Sequence, residues 1–252
     1  METIRKDIKK SKWVEEFRIN WYDADCTGRL SLPALCGFLE ETAWRHATHL
    51  GFGWSETTKQ HSAWVLVRLA MQIDEWPKWN QSIRVVSWSR GVDKLFAYRD
   101  FRIEDMRGCA LAHVTSTWLV LDFESRRPIR PELVKDALKY VVSDRALDID
   151  AVRLAVPQSS VNQFLGDISV GYPDIDLNGH TNNIRYPEWV LRFLPETLLK
   201  EESLNFFSIN YLAESHAGDQ ISIYSSGDYS DYLVGGIRKS DNKCVFTAQF
   251  KF

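Results

Sequence analysis

The 252-residue sequence predicts an α+β fold that is internally duplicated, each half a long helix wrapped by a curved antiparallel sheet. Three observations predict it. A turn-like motif, Tyr22-Asp23-Ala24-Asp25-Cys26-Thr27-Gly28-Arg29, returns roughly 150 positions later as Tyr172-Pro173-Asp174-Ile175-Asp176-Leu177-Asn178-Gly179-His180. Each copy follows an alternating apolar run: Phe17, Ile19 and Trp21 in the first, and more loosely Phe164, Ile168 and Val170 in the second. Each copy precedes a helical pattern and then a series of strand-like runs.

The first helix begins near Ser31-Leu32-Pro33, where Ser can cap and Pro sits at an early position whose N–H has no helical partner anyway. It carries Leu35, Phe38, Leu39 and Ala43 at helical spacing and ends at Gly51. Strand-like runs follow at Ala63 to Ile73, Ile83 to Trp88, Ala97 to Ile103 and Ala110 to Leu121. A second helical stretch, Glu132 to Val141, reads as the linker between repeats. The next helix starts after Asn182-Asn183, carries Trp189, Val190, Phe193 and Leu194, and is interrupted by Pro195. Four more runs close the chain: Phe206 to Leu212, Ile221 to Ser225, Tyr232 to Ile237 and Val245 to Phe252. A helix wrapped by an antiparallel sheet is the hotdog arrangement, and two copies make a double hotdog. The expected domains are an N-terminal hotdog over 1–130, a linker with a helix over 131–158 and a C-terminal hotdog over 159–252.

Ten Trp, thirteen Phe and nine Tyr suit a sheet-rich core, because flat rings pack well on pleated surfaces. A formal charge of −3 argues against a general nucleic-acid binder, which needs a basic surface to displace counterions. Cys26, Cys36, Cys109 and Cys244 lack CxxC spacing, so the expectation is free thiols in a reducing cytoplasm, with no zinc site or disulfide framework. No apolar run follows the charged start of the chain, and no stretch approaches a membrane span.

The segment from Asp174 to Tyr186 is the most informative. It sets a carboxylate, an amide and an imidazole at alternate positions just before a helix. If the segment is extended, Asp176, Asn178 and His180 share one side, next to a helix N-terminus with unpaired N–H groups. Thioester hydrolysis needs a base for water and donors for an oxyanion, and these residue types supply both. Turn formation and capping explain Asp, Asn and Gly equally well. The first repeat serves as an internal control, since it carries Asp25, Thr27 and Arg29 at the matching positions. His46 and His49 could share a helix face, but two histidines make no metal site, and no metal or other cofactor is assigned. Trp76 and Trp79 are expected in the core, and Glu40-Glu41 on a solvated face.

In these features the sequence resembles the acyl-ACP thioesterases of plants and bacteria over nearly its whole length. The second half carries Asp-x-Asp-x-Asn-x-His-x-Asn-Asn, Tyr186, Trp189, Leu194-Pro195 and Ile209-Asn210-Tyr211-Leu212-Ala213-Glu214-Ser215. The first carries Trp76-Pro77-Lys78-Trp79, Tyr98-Arg99-Asp100-Phe101 and Thr115-Ser116-Thr117-Trp118 through Arg126-Arg127. The resemblance implies catalysis by Asp176, Asn178 and His180 on the turn and Glu214 on a facing strand. Members of the family often have Cys after that Glu; here Ser215 stands there, carried as a further candidate for catalysis or for support of the site. Water attack is the favoured route, with Glu214 and His180 deprotonating the water, Asn178 holding the oxyanion and Asp176 fixing the geometry.

The resemblance also implies an acidic acyl carrier protein as partner, presenting the acyl group on a phosphopantetheine arm. Arg126, Arg127, Arg130, Arg185 and Arg192 are the docking candidates. By the same resemblance Leu35, Phe38, Leu39 and Thr42 are candidates to line the acyl tunnel. An acyl-CoA thioesterase and a non-catalytic module binding acyl carriers are the competing readings. Acyl chain length, and whether the chain pairs into a homodimer, stay open.

Overall fold

The computed structural model describes residues 11–130, 138–158 and 162–252. Two compact units form, one of Leu35–Ala151 with the chain up to Leu30, the other of Val152–Phe252 with Ser31–Ala34.

The first unit contains β1 (Lys12–Arg18), α1 (Leu32–His49), α2 (Trp54–Lys59), β2 (Ser62–Ile73), β3 (Ser82–Asp93), β4 (Phe96–Asp105), β5 (Ala110–Asp122) and β6 (Pro128–Ile129). Its antiparallel sheet runs in the order β1-β3-β4-β5-β2, with β6 paired to β5. Helix α1 starts where the Ala34 N–H donates to Ser31 Oγ (3.4 Å) and stops where Phe52 N–H reaches back to the Ala47 carbonyl (3.0 Å). Leu32, Leu35, Cys36, Leu39, Ala43 and Ala47 form its buried stripe. The helix lies against the sheet: Phe38 stacks on Phe17 of β1 with ring centres 4.3 Å apart, and His46 meets Arg99 of β4. Ile83, Val85, Phe101 and Ile103 are fully enclosed beneath it, each contributing roughly 1.5–3 kcal/mol by leaving water.

The second unit contains β7 (Gln163–Ser169), α3 (Arg185–Leu191), α4 (Glu196–Glu201), β8 (Phe206–Tyr211), β9 (Gln220–Ser226), β10 (Tyr232–Arg238) and β11 (Cys244–Lys251). Its strand order, β7-β9-β10-β11-β8, repeats that of the first unit. The fold is the double hotdog. The second helix is shorter than expected, because Pro195 ends the pattern and starts α4. Its seven residues still bury Tyr186, Pro187, Trp189 and Val190, and Tyr186 packs its ring against Trp189, Tyr211 and Phe246.

The expected linker helix falls in part on 132–137, outside the described residues. Leu138–Tyr140 is one turn of 3-10 helix, and Val141 is exposed beyond it. Trp79 is also not core: it stands half exposed, edge-on to Trp21, in the turn that the Gln81 N–H closes on the Lys78 carbonyl (3.0 Å). Glu41 pairs with Arg45 on the surface as a solvated face should, whereas Glu40 is half-buried. His46 is fully buried and accepts at Nδ1 from Arg99, while His49 packs beside Trp13 on the exposed side.

Candidate active site

The loop Asp176-Leu177-Asn178-Gly179-His180 is a tight turn, which corrects the expectation of an extended segment. The Asp176 N–H donates to the His180 carbonyl (2.8 Å), Gly179 N–H to the Asp176 carbonyl (3.1 Å), and Ile175 bridges Thr181. Gly179 takes φ +78°, the left-handed conformation that favours glycine. Asp176 Oδ1 accepts the backbone N–H groups of Asn178 (2.8 Å) and His180 (3.3 Å), and its Oδ2 accepts from Asn178 Nδ2 (3.3 Å). The three residues are gathered by this carboxylate, not by strand alternation. The helix is not adjacent either: Thr181 to Ile184 intervene, with Asn182 Oδ1 accepting from Ile184 N–H (3.1 Å) before α3 begins.

Glu214 also lies elsewhere than expected. Strand β8 ends at Tyr211, and Glu214 sits in the loop towards β9. That loop is held by three hydrogen bonds from two residues. Thr181 N–H and Oγ1 both donate to the Ser215 carbonyl (2.8 and 3.1 Å), and Arg238 Nη1 donates to the Glu214 carbonyl (2.7 Å). Arg238 is itself fixed by Asp241 and Asp219, whose carboxylates raise its pKa above the ordinary arginine value against the opposing effect of burial. The result brings Glu214 Oε2 to 3.5 Å from His180 Nε2, with both side chains about one-third exposed.

Ser215 is fully buried. Its hydroxyl donates to Thr181 Oγ1 (2.7 Å) and meets Tyr186 Oη at 3.0 Å. Burial pushes the Tyr186 phenol up, and its hydrogen bond with Ser215 opposes that shift. The serine ties the Glu214 loop to α3.

Two neighbours were missed by sequence reasoning. Arg238 is distant in sequence and carries no local signal. His216 is two residues from Glu214, and its ring lies edge-on to that of His180, 5.0 Å between centres.

The remaining candidates separate. Leu35, Leu39 and Thr42 are buried on α1, with Thr42 Oγ1 donating to the Phe38 carbonyl (2.7 Å). Arg126, Arg127 and Arg130 are exposed on the segment after β5. Arg185 and Arg192 both bind Glu188, at 2.6 and 3.0 Å, which offsets part of their charge.

Comparison with known proteins gives this geometry its context. Residues 10–138 match the family model described as the acyl-ACP thioesterase N-terminal domain, and residues 158–251 that of the C-terminal domain. The chain belongs to the acyl-ACP thioesterase family. Among curated members, the chloroplastic palmitoyl-acyl carrier protein thioesterase of Gossypium hirsutum is 27% identical over 211 residues, 79% of this chain and 51% of that one. Oleoyl-acyl carrier protein thioesterase 2 of Arabidopsis thaliana is 23% identical over 241 residues, 87% and 64% respectively. The chain spans about half the length of the first of these relatives. Among solved structures, an acyl-ACP thioesterase from Bacteroides thetaiotaomicron superposes with a TM-score of 0.87 at 27% identity, covering 97% of this chain and 99% of that one. The 12:0-ACP thioesterase of Umbellularia californica shares the fold, with a TM-score of 0.85 at 20% identity and 96% coverage of each. Among the described residues, no helix of this acyl-ACP thioesterase family member is long and apolar enough to cross a membrane.

Proposed function

We propose that the chain hydrolyses fatty acyl-ACP thioesters, releasing free fatty acid and the carrier thiol and so ending elongation of the acyl chain. The observation that carries this reading is the approach of His180 Nε2 to Glu214 Oε2, 3.5 Å apart, in a member of this family. Glu214 and His180 orient a water and take its proton as the water oxygen bonds to the thioester carbonyl carbon. One Asn178 Nδ2 hydrogen goes to Asp176, and we assign the other to the oxyanion. Collapse breaks the C–S bond, and the proton returns to the departing thiolate.

Asp176 shapes the loop and Ser215 anchors it; neither touches the reacting atoms. The α1 face with Leu35, Phe38, Leu39 and Thr42 is the proposed acyl-binding face. The exposed Arg126, Arg127 and Arg130 are offered to an acidic carrier by charge complementarity. Four free thiols suit the reducing cytoplasm, where we place the protein.

The test is release of free fatty acid from a panel of acyl-ACPs by the wild type, His180→Ala and Glu214→Ala, with folding checked by circular dichroism. Turnover by the wild type, falling about 10²- to 10⁴-fold in each variant, is expected for loss of a general base. Equal rates in all three would remove the assignment. Faster turnover of matched acyl-CoA would move the substrate to the nucleotide thioester.

A further inference from the structure

We infer that His180, Glu214 and His216 form a binding site for a zinc-class divalent cation, and that occupation of this site switches hydrolysis off. One ligand atom from each of the three side chains lies within 4.8 Å of the others. Two imidazoles and a carboxylate are a ligand set that zinc favours, with a fourth position left for water. Ligand atoms about 2.0–2.2 Å from a tetrahedral zinc stand roughly 3.4 Å apart, and the His180 Nε2 to Glu214 Oε2 separation is already 3.5 Å. The third ligand atom, from the exposed His216, lies within 4.8 Å of both, so a small side-chain adjustment closes the triangle.

A second observation points the same way. His216 Nδ1 lies 3.3 Å from the Gly179 carbonyl oxygen. A carbonyl only accepts, so Nδ1 carries a proton, and in the neutral ring this leaves Nε2 as the nitrogen with a lone pair for a metal. An imidazole that donates one N–H to a backbone carbonyl while offering its other nitrogen is the usual arrangement around a bound metal. The backbone of each ligand is also tethered: His180 N–H by Asp176, the Glu214 carbonyl by Arg238 and His216 N–H by Asp219 Oδ2 at 2.9 Å. The backbone that carries the three ligands is therefore held in place, and His216 takes no part in the hydrolytic reaction proposed above.

Binding follows from the ligands alone; inhibition rests on the hydrolytic reading above, since the cation takes the two groups assigned to activate water. The experiment separates them. Titration of the metal-free protein with Co²⁺, followed by visible absorption, should give the intense bands of a low-coordinate His/carboxylate site, saturating at one equivalent and displaced by Zn²⁺. His216→Ala should weaken binding at least about 10-fold. In parallel, Zn²⁺ should abolish acyl-ACP turnover by the wild type at stoichiometric levels, and His216→Ala should keep turning over at the same concentration. Absence of a saturating Co²⁺ spectrum, or an identical spectrum in His216→Ala, overturns the site. A saturating spectrum together with unchanged or faster turnover overturns the switch. Lack of turnover in metal-free wild type with a normal Co²⁺ spectrum strikes the hydrolytic reading, not the site.

Discussion

Asp25 and Asp176 hold identical loops in the two halves of the chain. Each Oδ1 accepts backbone N–H groups from two and four residues ahead, at 2.8 and 3.1 Å for Asp25 and 2.8 and 3.3 Å for Asp176. Gly28 and Gly179 take φ +77° and +78°, and the N–H of each aspartate donates at 2.8 Å to the residue four ahead. The scaffold is common; what differs is its load, Thr27 and Arg29 in one copy, Asn178 and His180 in the other. Asp25→Ala and Asp176→Ala should therefore each lower stability by about 1 kcal/mol, the scale of lost hydrogen bonds at a partly exposed turn. Only Asp176→Ala should also slow hydrolysis. Thermal melts and acyl-ACP turnover on both proteins check this. An equal loss of turnover in Asp25→Ala would show that the loop acts through folding alone.

That comparison also shows how much the sequence could reveal. The repeated motif marked the duplication, and the strand runs were legible because buried apolar residues recur along β3, β4 and β11. The four polar residues of the site were legible as types. Their geometry was not, since an aspartate that accepts from its own loop folds alternate residues into a turn, while a strand reading would have kept them extended. The family resemblance implies a strand at Glu214, yet the ladder stops at Tyr211. Arg238, which fixes the Glu214 carbonyl, comes from another strand and is visible only in three dimensions.

Ser215 gives a sharper chemical test. Its hydroxyl is fully buried and bonded to Thr181 and Tyr186, which fits a group that holds the loop in place. Ser215→Ala leaves both partners short of a hydrogen bond, so stability should fall by about 1–3 kcal/mol. Turnover of the folded fraction should stay close to wild type. Complete loss of turnover in a well-folded Ser215→Ala protein would instead assign the serine as nucleophile.

The four thiols should divide into two classes. Burial, reinforced by the charge of Glu40, pushes Cys36 far above the ordinary thiol range, and burial pushes Cys244 up to about 11. Cys26 and Cys109 are exposed. The reactive form is the thiolate, so iodoacetamide at mildly alkaline pH should label Cys26 and Cys109 in the native protein and spare the other two. All four should react after unfolding. Peptide mass spectrometry reads the pattern, and rapid native labelling of Cys36 would contradict the packing of α1.

Asp100 carries the heaviest stability prediction. Its carboxylate is completely buried in β4 and accepts from Arg90 Nε (2.7 Å), Thr115 Oγ1 (2.8 Å) and the Ala146 N–H (2.7 Å). Arg90 continues to Asp150 (3.2 Å), which also binds Arg145 (2.7 Å). One side chain thus joins three strands of the first sheet to the segment after them, so the Tyr98-Arg99-Asp100-Phe101 stretch is a structural marker. Asp100→Ala leaves the Arg90 guanidinium among buried neighbours with Thr115 Oγ1 (2.9 Å) and, as its one remaining carboxylate among the described residues, the exposed Asp150. Breaking one side of a buried pair costs about 3–5 kcal/mol, a large share of the stability of a domain this size. Asp100→Asn keeps one acceptor oxygen, enough for the Thr115 hydroxyl or the Ala146 N–H but not for both, and should lose less. Denaturant midpoints for the two variants should fall in that order. Equal midpoints would mean that the charge of Asp100, and not its hydrogen bonds, holds the segment down.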